Sequence, residues 1–164
     1  MTTTEHAADI RRTLKARGIT SRSVSVRADY YSMGSAIRVR IVDPTVSSSL
    51  VQSIAEAHER IDRDHFGEIL SGGNRFVTVS YDHGTLAAMG ATYRPAVDAA
   101  IATLPVGSHS LQPVEGTPFL VGRDNYSGFG VWEAGSGHLQ SCYDADAIAQ
   151  DIAVRMVNRA AERE

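Results

Sequence analysis

The sequence predicts an α+β protein: an N-terminal α-β-β-α-β layer with an antiparallel hairpin, a helical connector, and a C-terminal β-hairpin with a closing helix. Three observations lead there. Apolar residues recur at helical spacing over residues 5–17, two adjacent runs between residues 23 and 42 alternate apolar with polar, and both signals return further along the chain.

In the first helix, Ala7, Ile10 and Leu14 share one face while Arg11, Arg12 and Lys15 lie elsewhere on the cylinder. Thr2 and Glu5 have capping-box spacing, and Gly18 is a natural stop. The run SVSVRADY then places Val24, Val26 and Ala28 on one side. The run AIRVRIV does the same for Ile37, Val39 and Ile41, and the short Gly-containing segment between them predicts an antiparallel hairpin. Period two forces Arg38 and Arg40 onto the other face, and Arg27 likewise. A register that aligns the apolar sides therefore gathers three arginines on the outer face.

Asp43-Pro44-Thr45 breaks the strand and opens a second helix over residues 46–60, with Leu50, Ile54, Ala57 and Ile61 as its stripe. A polar stretch with Gly72-Gly73 leads to a third strand over 75–81. Residues 85–104 are alanine-rich, with Leu86, Met89, Tyr93, Val97, Ile101 and Leu104 at helical intervals. Pro95 divides them into two short helices, or into a loop and a helix starting near Pro95. Residues 105–118 read as a connector with Pro and Gly punctuation. A hairpin over 119–134, a strand over 138–143 and a helix from Asp144 or Asp146 to about Ala161 complete the chain. In that helix Ile148, Ile152 and Met156 point inward, and Asp151 and Arg155 are set to pair. The expected division is 1–84, 85–112 and 113–164, the last either separate or sharing a core with the first.

Composition narrows the function classes. A lone cysteine, Cys142, excludes a disulfide scaffold, and 14 glycines and 5 prolines exclude collagen-like and wholly disordered chains. No apolar run approaches the ~20 residues that span a bilayer, and the first residues lack an apolar signal core. The expectation is a soluble, cytoplasmic protein with no membrane partner. Residues 1–40 carry net charge +5 and the remainder −8, a polarity suited to an anionic partner or to a homodimer.

Arg27, Arg38 and Arg40, joined by Arg22, form the candidate binding platform, and Phe76 points to the same face if Val77, Val79 and Tyr81 are buried. Guanidinium groups suit phosphate, and an aromatic beside them can stack a base. The competing reading is a solvated face whose arginine stems cover strand surface. His58, Asp62 and His65 are the metal candidates, the first two being one helical turn apart, though no strong ligand motif contains them. No catalytic residues and no cofactor emerge. Cys142 reads as a small buried hydrophobe, the glycine clusters as turns, and Trp132 as an anchor against the last helix or, with Tyr126 and Phe129, as part of a recognition surface.

IRRTLK (10–15), SVSVRADYYSMGSAIRVRIVDPT (23–45) and GEILSGGNRFVTVSY (67–81) stand in an order that resembles one of the large polyvalent protein-associated domain families of phage and plasmid proteins. The resemblance covers about half the chain. It implies an accessory module of a phage or mobile element working beside nucleic acid or a host protein. The expected function is therefore a non-enzymatic accessory binding protein engaging a protein or nucleic acid through the arginine face. The alternative is a small metal-assisted enzyme acting on nucleic acid.

Overall fold

Thr2 and Glu5 cap each other's backbone, with the Glu5 amide donating to the Thr2 hydroxyl and the Thr2 amide to the Glu5 carboxylate, and α1 (Thr3–Ala16) starts there. The expected stripe of Ala7, Ile10 and Leu14 is buried, with Thr3 beside it. The computed structural model describes residues 1–32, 34–70, 72–105, 110–124 and 128–163. They form two compact units, Met1–Thr85 and Leu86–Glu164.

In the first unit, β1 (Val24–Tyr31) and β2 (Gly34–Ile41) form the expected antiparallel hairpin. Its register pairs Val26 with Val39 and Arg27 with Arg38. After α2 (Ser48–Glu56), β3 (Asn74–Tyr81) returns parallel to β2, giving the order β1-β2-β3. Helix α1 packs across β1 and β2, α2 packs on β3, and the two helices touch, so both cover the same sheet face. The core between them includes Ile10, Val26, Ile37, Val39, Ile41, Val51 and Ala55.

Helix α2 is shorter than its apolar pattern predicts. Ser47 caps it by accepting the Leu50 amide, and the buried stripe is Val51 and Ala55, with Leu50 and Ile54 half-buried and Ala57 exposed. Asp43 instead ties down the preceding turn by accepting from the amide and hydroxyl of Thr45. These bonds and one from Ser23 hold the Asp43 carboxyl below its ordinary pKa.

Both sheet edges are capped by charged side chains. On β1, Arg11 Nη2 donates to the Val26 carbonyl at 2.5 Å. On β3, the Val77 amide donates to Glu59 Oε1 at 3.0 Å. Unpaired edge groups template further strand pairing, and these two side chains block one on each side. A buried polar chain closes the end of the sheet near the β1–β2 turn. Thr3 donates to Ser35, and Asn74 takes the Asp62 amide at 2.8 Å and gives its own amide to the Leu70 carbonyl at 2.6 Å. Gly34 is required at that end: its φ is +154°, and a Cβ there would lie 2.6 Å from the Asn74 carbonyl oxygen.

The second unit is a meander of β4 (Leu111–Pro113), β5 (Phe119–Asp124), β6 (Gly128–Glu133) and β7 (Gly137–Cys142), antiparallel throughout. It shares a core with α3 (His83–Ala102) and α4 (Ala145–Ala161) that includes Val97, Phe119, Val121, Val131, Ile148 and Ile152. Helix α3 is one element, not two: it runs through Pro95, whose missing N–H costs one in-helix bond among otherwise good helix formers. Asp144 is the N-cap of α4, and Asp151 pairs with Arg155 at 2.6 Å.

Trp132 does not face the last helix. It pairs with Leu120 while its neighbour Val131 pairs with Val121 in the core, so period two turns the indole to the opposite face. There it meets His138 edge to face, with ring centroids 4.9 Å apart. It also lies against Gly130, where a Cβ would come within 2.6 Å of the indole. Tyr126 lies outside the described residues.

Candidate functional site: the outer sheet face

Register and pleat arrange the sheet face opposite the helices as a grid. One row is Ser25, Arg40 and Ser80, the next Arg27, Arg38 and Thr78, the third Asp29, Ala36 and Phe76. Tyr31 extends the first column and is exposed, its hydroxyl donating to the Ser35 carbonyl at 3.1 Å. The three strand arginines therefore share one face with two aromatic rings and the hydroxyls of Ser25, Thr78 and Ser80.

Arg27 and Arg38 are direct cross-strand partners. Like charges placed opposite one another destabilise a sheet unless they are neutralised. Arg38 pairs with Asp29 at 2.9 Å and Arg40 with Asp82 at 3.6 Å, yet their side chains remain 71% and 66% exposed. Arg27 is exposed as well, and no ion pair among the described residues involves it. Phe76 is half-buried beside the buried Ala36.

Arg22 is not part of this grid. It sits in the turn before β1, exposed, where the alternation that orders the strand arginines does not reach. Tyr31 was legible from the same period-two pattern, but the run of Ser, Met and Gly that follows it reads as loop. Thr78 and Ser80 come to the face through the parallel pairing of β3, which no local pattern reveals.

The metal candidates are not brought together. Residues 57–58 form a turn after α2, so the one-turn helical spacing of His58 and Asp62 does not exist. His58 meets His6 with Nδ1 atoms 3.0 Å apart and faces Asp9 at 3.8 Å. Asp62 pairs with Arg60, and His65 stacks on Phe66 with ring centroids 3.7 Å apart. Among the described residues no group of three or more His, Cys, Asp or Glu side chains is arranged to hold a metal ion. Cys142 ends β7 inside the second core, whereas His138 is exposed beside Trp132.

No helix among the described residues is long and apolar enough to cross a membrane. In comparisons with known proteins, no family model, curated protein or solved structure matches the chain.

Proposed function

We propose that the first unit is a non-catalytic binding module that takes single-stranded nucleic acid on the outer face of its sheet. The supporting observation is the cross-strand pair Arg27 and Arg38, a like-charged couple kept exposed with a carboxylate on only one of its members. A phosphate bridging the two guanidinium groups relieves that repulsion. Tyr31 and Phe76, on the same face one row or more away, favour a strand with accessible bases over a duplex, because stacking needs an unpaired π-face. A role as an accessory protein of a phage or mobile element belongs to this reading through the sequence resemblance over residues 10–81.

A second reading takes an acidic protein as the partner. It is favoured by the carboxylates Asp29 and Asp82, which already occupy Arg38 and Arg40 and show the kind of group that satisfies them.

Fluorescence anisotropy with labelled single strands, duplexes and an acidic polypeptide, each at two salt concentrations, separates the two. Three phosphate contacts on a single strand give a slope of log K against log salt of about −2. Preference for the polypeptide supports the second reading, and no salt-sensitive binding to any of them rejects both.

A further inference from the structure

We propose that this chain associates head to tail with copies of itself, the Phe66 tip of one copy seating in a groove between α1 and β1 of the next. Both surfaces lie away from the arginine face: an exposed aromatic tip, whose ring also meets His65, and a cleft beside the Arg11 cap on β1.

The first is a knob. Between α2 and β3 the described residues 59–70 form an excursion whose tip carries Phe66, 80% exposed, with Ile69 and Leu70 about half exposed nearby. The tip is held in place by its own hydrogen bonds. Asp64 Oδ1 accepts the amides of Phe66 and Glu68, each at 2.9 Å, and the Asp64 carbonyl accepts the Gly67 amide. Arg63 donates to the Gly67 carbonyl, and the base is fastened by Asn74. An aromatic presented on a preorganised turn loses little conformational entropy when it binds. Two acids, Asp64 and Glu68, flank it.

The second is a matching groove. Leu14, Ile19, Val24 and Val26 line a cavity of about 210 Å³ with Arg11 and Lys15 among its walls. Its volume exceeds that of an enclosed apolar cavity of about 150 Å³ that accepts benzene, so the cleft, which Thr20 and Ser21 also line, has room for a phenyl ring. The cations suit the acids that flank Phe66, and the apolar walls suit the ring itself.

A single molecule cannot satisfy both features. The groove lies at the β1 edge, whereas the excursion is tied to the β3 edge through the paired backbones of Arg60 and Arg75 and the Glu59 cap on Val77. Knob and groove on opposite edges define a heterologous contact, in which each copy uses one surface for each neighbour. One ring and two flanking aliphatics cover less than the ~1,200 Å² of a stable interface, so association is weak and driven by concentration.

Sedimentation velocity over a concentration series tests this. The wild-type chain is expected to gain mass with concentration. Phe66→Ser removes the knob and Lys15→Glu spoils the groove; both sites are exposed, so both variants should fold, as circular dichroism will verify. Each variant alone should associate about tenfold more weakly or not at all. An equimolar mixture should stop at a dimer, because only one intact knob and one intact groove face each other. A wild-type chain that stays monomeric throughout, retained association in either variant, or a mixture no heavier than its components overturns the proposal.

Discussion

The imidazoles of His6 and His58 meet with Nδ1 atoms 3.0 Å apart, joining α1 to the turn that follows α2. Such a bond needs one ring nitrogen with a proton and one without. Around the pair stand Asp9, Arg75 and the amino terminus, and Arg75 also donates from Nε to the His58 carbonyl at 2.5 Å. Burial, followed by the positive charge of Arg75 and the neighbouring His58 imidazole, lowers the His6 pKa below its ordinary value.

A pH dependence follows, and its sign is fixed. The unfolded chain takes up a proton at His6 near its ordinary value of about 6.5, while the folded chain resists it until lower pH. The stability from neutral His6 is thus present above about pH 6.5 and is lost as the pH falls from there through the folded value. Urea midpoints measured from neutral to mildly acidic pH should decline, and His6→Asn should flatten that decline. Identical slopes in the two proteins would remove His6 from the explanation.

Asn74→Ala should destabilise the first unit by about 1–3 kcal/mol. The substitution strands the part-buried Asp62 amide and Leu70 carbonyl, which solvent reaches in part, so the two together cost about what one fully buried group without a partner costs. Denaturant unfolding gives the magnitude. Hydrogen exchange localises it: the Asp62 amide should lose protection while amides in the second unit keep theirs.

Gly130→Ala probes the other unit. Its new Cβ would lie 2.6 Å and 2.8 Å from Cη2 and Cζ3 of Trp132 and 3.0 Å from His138 Nε2, so the indole must shift. Overpacking of this kind costs about 1–3 kcal/mol. Trp132 is the sole tryptophan, so the displacement should appear as a changed emission maximum in the folded protein. An unchanged spectrum with unchanged stability would mean that the ring does not rest on Gly130.

The parts legible in the sequence are those governed by local rules. The Thr2 and Glu5 cap, the alternation in β1 and β2 and the Asp144 cap each depend on residues a few positions apart, and all three stand where the pattern puts them. Period two was enough to place Arg27, Arg38 and Arg40 together. What escaped depends on distant partners. Helix α2 stops before His58 because that turn is committed to His6 and to Arg75, residues far away in the chain. Pro95 reads locally as a break, yet the packing of Val97 and Ala100 into the second core keeps α3 continuous. Trp132 reads locally as a core residue because of its apolar bulk, whereas the glycines that make room for it at 122 and 130 come together only once β5 and β6 are paired.

An ordered phosphate site on the sheet face depends on where a charge sits, not on net charge. Arg38→Glu and Arg22→Glu change the formal charge equally, but Arg38 lies in the grid opposite Arg27 and Arg22 lies in a turn outside it. Anisotropy titration of both variants against one labelled single strand is the direct comparison. Arg38→Glu should weaken binding by about tenfold or more, the loss of one charge-assisted contact, and Arg22→Glu should leave it nearly unchanged. Equal losses in the two variants, or none in either, would contradict an ordered phosphate site on the sheet face.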